Sequence, residues 1–352
     1  MMVLALAAGT GQISAATESD AAVSTSAGTS QPAETGATTQ STTDNFSYMP
    51  EFHGAIRPRW ELDTESGESR FEVRWARFTV EGKVAPRIGY FLQLDFCDQG
   101  SIKIHDAYVK LDVAKGLTVQ AGQFRMPFGT ESFMAPQNYV FANRSFMGKQ
   151  MCNYRKVGAK LTYRLPISIP LTLEAGAFNS GGKDNHNVWG KSYAGSGRAT
   201  LQAGDFKICA GVMDLKPDQT RIMLYDAGVT YQHGDWRAAV EYMNEHYVNS
   251  AHKDANSWVV WGDYGRNVNW GLFNRWSLQV RYDGMTRQWD GVTGSTDNAA
   301  RNRFTVGGTL TYRFRKVFCD FMVDYEKYLY HKDFTAATGQ GDKVVAEIAV
   351  RF

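Results

Sequence analysis

Proton chemistry near neutral pH would fall first to histidine, and the chain has seven: His53, His105, His186, His233, His246, His252 and His331. Most fall in or near segments expected to be loops. The chain contains no G-x-S-x-G and no H-E-x-x-H, so a nucleophilic serine and a zinc-assisted hydrolase both lack their usual sequence frame. A Ser/His pair is conceivable, and a hydrolytic role stays an alternative. Cys97, Cys152, Cys209 and Cys319 are far apart, with no C-x-x-C and no histidine at zinc-ligand spacing. They are read as incidental, with one disulfide in an oxidising compartment left open. No metal or cofactor is implied. What remains is charge. With 38 basic against 36 acidic residues, a net +2, there is no reason to expect a nucleic-acid partner. Fixed charges can still select ions if a scaffold aims them into one space.

That scaffold is legible in a period of two. Ile88, Tyr90, Leu92, Leu94 and Phe96 share one face of a segment whose other face holds Arg87, Gly89, Phe91, Gln93 and Asp95. Trp276, Leu278, Val280 and Tyr282 stand against Arg275, Ser277, Gln279, Arg281 and Asp283. Phe304, Val306, Leu310, Tyr312 and Phe314 oppose Arg303, Thr305, Thr309, Thr311, Arg313 and Arg315. Side chains on a strand alternate between its faces, so each segment has one greasy and one charged side.

No run approaches the ~20 apolar residues of a spanning helix. A soluble sandwich also alternates, but its strands average about 5–6 residues, whereas these run about 10–14, enough to cross a bilayer on a tilt. Aromatics sit near the ends of the apolar faces, where headgroups favour them: Trp60, Trp75, Tyr163, Tyr193, Tyr231, Trp236, Tyr242, Trp276, Tyr282 and Tyr312. The expected fold is all-β, a transmembrane antiparallel barrel of about sixteen strands. The expected strand starts lie near 51, 70, 86, 102, 116, 154, 169, 192, 205, 220, 235, 257, 274, 302, 318 and 342. Tight turns are expected at 82–85, 114–116, 165–168, 203–205 and 233–235, as on a periplasmic side. Longer polar stretches lie between them, and the link at 266–273 is longer than this scheme allows.

The longest connection, 126–153, is rich in Phe, Met and Tyr. Loops of this length are functional or disordered, and the apolar content argues against disorder. It is expected to be a long third loop folded into the lumen. Ahead of the barrel, residues 1–16 are expected to be a signal peptide with a truncated start, and 17–45 a disordered Ser/Thr/Ala-rich lead. The barrel occupies 46–352. Val344, Ala346, Ile348, Val350 and Phe352 alternate to the final residue, which suits barrel closure and looks like the signal read by barrel-insertion machinery.

The stretch Gly122-Gln123-Phe124-Arg125-Met126-Pro127-Phe128-Gly129-Thr130-Glu131 is the most specific element of the chain. With Arg74-Trp75-Ala76-Arg77, Glu81-Gly82-Lys83, Asp106-Ala107-Tyr108 and Arg155-Lys156-Val157-Gly158, it resembles the phosphate-selective porin O/P family of outer-membrane channels. The likeness is best over residues 70–182, and further on is one of pattern. It implies sixteen strands, a homotrimer, a constricting third loop and a basic lumen, in a bacterial outer membrane. Family members named for phosphate carry an arginine ladder and a lysine cluster that do not align here.

Were the apolar faces to meet lipid, the opposite faces would line water. That lumen holds Arg57, Arg59, Arg74, Arg87, Lys110, Lys156, Lys160, Arg164, Arg198, Lys207, Arg237, Arg275, Arg281, Arg303, Arg313, Arg315 and Arg351. Its acids are Glu61, Glu72, Asp95, Asp106, Glu174, Asp226, Glu241, Asp283, Asp320, Asp324 and Glu347. Arg74, Arg125, Glu131, Arg144, Lys149 and Arg155 are the candidates for the narrowest point, with Arg57, Arg59, Arg87 and Asp95 as further lining. Many of these charges are equally expected to pair across neighbouring strands. Arg77 breaks the parity of its strand, which fits either an interfacial side chain or a bulge. The function expected is passive diffusion of small hydrophilic solutes with a slight anion preference and no enzymatic step. The alternative is a barrel with a structural, adhesive or hydrolytic role.

Overall fold

The computed structural model describes residues 47–98, 101–134, 139–180, 189–216, 220–248, 252–290, 296–330 and 337–352. The signal peptide and lead expected over 1–45 lie outside them. Strands β1 (Glu51–Asp63), β2 (Ser69–Ala85), β3 (Ile88–Asp98), β4 (Ser101–Ala114), β5 (Leu117–Arg125), β6 (Arg155–Arg164), β7 (Leu171–Asn179) and β8 (Tyr193–Ala203) form the first half of a sheet. It continues through β9 (Phe206–Leu215), β10 (Ile222–His233), β11 (Trp236–Tyr247), β12 (Ala255–Trp270) and β13 (Phe273–Met285). A two-stranded hairpin of β14 (Gln288–Asp290) and β15 (Thr296–Asn298) follows. Then β16 (Arg301–Phe314), β17 (Val317–Tyr330) and β18 (Lys343–Arg351) complete the sheet. Without the hairpin, sixteen strands close into an antiparallel barrel, each bonded to its sequence neighbours and β1 to β18. The strand starts expected from periodicity all fall within two residues of these.

Burial follows the alternation, inverted relative to a water-soluble protein. On β13 the polar Ser277, Gln279, Arg281 and Asp283 are buried, while Leu278, Val280 and Tyr282 are exposed. Only a closed sheet leaves no backbone group unpaired in lipid, and the outward apolar band is what lipid demands. Beside the tight turns the outward aromatics form a girdle: Phe206 packs on Tyr231 (5.0 Å), and Tyr264 lies between Trp236 (4.7 Å) and Trp276 (5.8 Å).

Several expectations need correction. The 266–273 link is mostly strand: β12 continues to Trp270, with a register shift between Asn267 and Trp270, and turns through Gly271 at φ 58. The polar Asn267-Val268-Asn269 run hid the strand, and glycine reaches that left-handed backbone without strain. The turn expected at 165–168 spans 165–170, where Pro166 and Pro170 keep both ends out of the ladder. Arg87 and Arg315 lie in tight turns and not on the lumen face of a strand, since Pro86 delays β3 to Ile88.

Trp75 is not a girdle residue. Arg57 pairs with Trp75 but Pro58 with Val73, so Arg74 is an inserted residue. The bulge turns Trp75 and Thr79 inward, both 8% exposed, and carries Arg77 with them. It also explains the broken parity of Arg77.

At the closing seam, Gly54 N donates to Phe352 O (2.8 Å) and Phe352 N to Gly54 O (3.1 Å). The Phe352 ring occupies the space a side chain on residue 54 would take, with ring carbons 2.2 Å from an ideal Cβ. Gly54→Leu should therefore force the ring off the seam at a cost of about 1–3 kcal/mol. The readout is the temperature at which the folded, fast-migrating band is lost on a denaturing gel. An unchanged temperature would refute the packing.

Candidate functional site

The third connection on the long-loop side, residues 126–154 between β5 and β6, is called L3 here. The β5–β6 pairing continues into it, with Met126 N bonded to Tyr154 O at 3.0 Å. Two short elements stiffen its described part: a 3-10 turn over Glu131–Phe133 and helix α1 (Phe146–Gln150). Ser145 caps α1 by accepting from Gly148 N at 3.0 Å. Glu131 then braces the cap, accepting from Ser145 N at 3.0 Å and pairing with its hydroxyl.

One side of L3 is apolar. Met126, Phe128, Met147, Met151, Cys152 and Tyr154 pack with Phe124, Phe178, Met213, Leu224, Met243 and Tyr247 on the inward faces of β5, β7 and β9–β11. Unbranched methionines fill such an irregular gap well. Cys152 is buried there, and burial pushes its thiol pKa up. The four cysteines carry no disulfide.

Wall charges hold the L3 main chain. Asp226 accepts from Gly129 N (3.3 Å) and Glu241 from both Thr130 N (2.6 Å) and Glu131 N (3.0 Å). Asp324 accepts from Ala142 N (2.7 Å) and Asp283 from Phe146 N (3.0 Å). From the opposite sign, Arg198 donates to Gly129 O (3.2 Å), Arg57 to Ala142 O (3.2 Å), Arg281 to Asn143 O (2.7 Å) and Arg303 to Arg144 O (2.7 Å). These charges also pair with one another: Arg57 with Glu347, Arg198 with Glu174 (2.9 Å), and Arg303 with both Asp283 (2.9 Å) and Glu326 (3.1 Å). Buried charges are tolerated when each is paired and bonded in this way.

The candidates named from sequence divide between this bracing and a second group. Arg57 and Arg59 are buried wall residues; Arg59 contacts Asn143 (2.9 Å), Glu61 (3.0 Å) and Glu72 (3.3 Å). Glu131 is buried inside L3. The second group gathers around Tyr139. Arg144 lies over its ring (5.9 Å), and Trp75 packs against it (5.6 Å). Arg77 stacks on Trp75 (3.9 Å) and pairs with Asp95 (2.8 Å), which also bonds His105 (3.1 Å). Arg125 faces Arg155 across the hairpin base, and Arg155 pairs with Asp106 (3.0 Å). Enclosure opposes ionisation of the Tyr139 phenol, but Arg144 and Arg125 outweigh it and hold its pKa below the ordinary value.

The α1 residue Lys149 loses part of its hydration beside the walls, and this, followed by the charges of Arg74, Lys343, Arg301 and Arg303, lowers its ammonium to about 8. Arg74, the bulged residue, contacts Glu72 at 3.6 Å. Arg87 does not join either group.

The profile of a family described as putative beta-barrel porin-2, OmpL-like, matches residues 80–319, more than half of the chain. The chain belongs to this porin family. No curated protein matches its sequence. Among solved structures, this porin is similar to a Salmonella typhi OmpF bound to daunomycin, at 17% identity and a TM-score of 0.62 over 86% of this chain and 97% of that one. An anion-selective porin from Comamonas acidovorans matches at 13% identity and 0.61, over 86% and 98%. The outer-membrane channel DcaP of Acinetobacter baumannii matches at 15% and 0.60, over 86% and 97%. At these identities the likeness is one of fold. Family and architecture place the porin in a bacterial outer membrane.

Sequence reasoning missed Glu326, Asp263 and Trp75 as interior residues of this porin. Continued parity from Asp320 and Asp324 would have found Glu326. Tyr139 was expected inside with the rest of the loop, but its place beside Arg144 had no signal, because a loop without a repeat gives no facing. Replacing Glu241 by alanine leaves two buried L3 amides unpaired, at about 1–3 kcal/mol each. We expect L3 to loosen, read as new protease cleavage within 126–154 in the folded porin. Full resistance would show that L3 does not depend on this carboxylate.

Proposed function

We propose that this porin is a passive channel for small hydrophilic solutes, with L3 as its constriction and a preference for anions. The observation that supports it most is the attachment of the L3 main chain, by five amides and four carbonyls, to charged side chains on the inward faces of the barrel. A loop held at so many points across a closed sheet can set a fixed aperture. Its apolar side meets β7 and β9–β11, which leaves the Tyr139 group facing the β2–β4 wall. There Arg77 and Arg155 have carboxylate partners; Lys149 on α1 lies toward β2, β16 and β18, where Arg74, Lys343, Arg301 and Arg303 act on it, although Arg74 and Arg303 have carboxylates of their own. A cationic aperture favours anions by its field.

The likeness of residues 70–182 to phosphate-selective porins supports the same sign, as does the anion-selective neighbour from Comamonas acidovorans. A neighbour described as a trimer form, OmpT of Vibrio cholerae, supports a homotrimer for this chain. In this reading residues 1–16 are a targeting segment, 17–45 a flexible lead, and Phe352 contributes to recognition by insertion machinery.

Reconstituted in a planar bilayer, the porin should give stable conductance, with a reversal potential in a salt gradient that favours anions. Absence of conductance would sink the channel reading in favour of a structural, adhesive or hydrolytic barrel; conductance with a cation-favouring potential would sink the selectivity. The pH dependence has a definite sign. With its pKa near 8, Lys149 is charged below that value and neutral above it. Anion preference should therefore fall between pH 7 and 9, with a midpoint near 8. Lys149→Met should remove the step, and a step that survives would place it elsewhere.

A further inference from the structure

The guanidiniums of this barrel show a consistent habit. Arg155 presents its Nε and Nη2 to the two oxygens of Asp106, at 3.0 and 3.4 Å. Arg303 presents the same edge to Asp283, at 3.1 and 2.9 Å. Arg221 does so to Asp214, at 3.0 and 2.7 Å. Arg198 turns the same edge to one oxygen of Glu174, with Nε at 2.9 Å and Nη2 at 2.5 Å. This side-on fork is the planar geometry that matches a carboxylate or phosphate with two parallel bonds.

Arg144 departs from the habit. Among the described residues it is the guanidinium whose Nε and Nη2 are both buried without a hydrogen-bond partner. Beside it, Arg125 Nε is also buried and unpartnered. An unpaired buried charged donor is costly, and nothing about the backbone here is loose. Arg303 holds the Arg144 carbonyl at 2.7 Å, and Glu131 holds the next amide, that of Ser145, at 3.0 Å. Arg77 and Arg155 are neutralised by Asp95 and Asp106, whereas among the described residues Arg125 and Arg144 have no carboxylate within ion-pair distance, and Glu131 and Glu241 act on Arg144 only from farther off.

We propose that Arg144, with Arg125 beside it, forms a binding site for one small oxyanion, received side-on by the Arg144 Nε/Nη2 edge next to the Tyr139 ring. The inference rests on the channel reading, which makes the site a station for permeating solute; the Nε and Nη2 atoms are covered in this structure, so the oxyanion must displace the side chains over them. The shared ligand chemistry is two oxygens in one plane on an anionic group. Acetate and orthophosphate are its two simplest sources. Chloride, a single spherical ion, can take both donors only as one shared acceptor and leaves the parallel pair of bonds unmade.

Calorimetric titration of the folded porin in nonionic detergent at low ionic strength tests this without relying on conduction. Sodium acetate and sodium phosphate are the probes, and sodium chloride is the control. Saturable heat with acetate, phosphate or both supports the site and names its source. Arg144→Lys, which keeps the charge but loses the fork, should weaken binding about tenfold or more. Its folding is checked by the unchanged fast-migrating band. Two results overturn the proposal: no saturation by either oxyanion, or equal affinity for chloride. Arg144→Lys binding as tightly as the original chain overturns it as well. Failure of the channel reading looks different, since conductance is then absent whatever the calorimeter records.

Discussion

Everything in the interior depends on one arrangement: wall carboxylates and guanidiniums bonded to the main chain of L3. A loop is usually placed by its own side chains, and its backbone is left to water. Here the amides of Gly129, Thr130, Glu131, Ala142 and Phe146 and the carbonyls of Gly129, Ala142, Asn143 and Arg144 find charged partners on the barrel. The exchange works in both directions. The wall charges would be expensive to bury alone, and the loop amides would be expensive to leave unpaired inside a barrel. Each set offsets the cost of the other, so the walls hold the L3 backbone as well as its apolar side chains.

The L3 side chains divide between two sides. On one side they became a soft cushion of Met126, Met147, Met151 and their wall partners. On the other they became a cluster of guanidiniums around Tyr139. The bulge at Arg74 serves the same division. Without it Trp75 and Arg77 would face lipid, where a guanidinium is costly. With it they complete the wall opposite L3.

The barrel was legible in the sequence because its physics is periodic. Lipid on one side and charge on the other impose a repeat of two, and the repeat gave the strands to within two residues and the third loop by its length. The failures came where periodicity is interrupted. Asn267-Val268-Asn269 masked the end of β12, Pro86 moved Arg87 into a turn, and the bulge at Arg74 misassigned Trp75 to the girdle. The constriction candidates were chosen for their place on or beside L3, and that alone could not separate Glu131, a brace, from Arg144. Their roles depend on which partners the fold brings from β11, β13 and β16. The family match kept the porin and changed the family: a phosphate-selective O/P porin was expected, and one of the OmpL-like kind was found.

The anchors of L3 have a consequence for the order in which the molecule can assemble. Ala142 waits for Asp324, 182 residues later in the chain, and Phe146 for Asp283, 137 residues later. Arg57 and Glu347, which meet across the seam, are 290 residues apart. Contacts so distant along the chain make folding slow, and they also make it conditional. The loop cannot dock on Asp283 and Asp324 until β13 and β17 exist, so its anchoring falls among the last events of biogenesis.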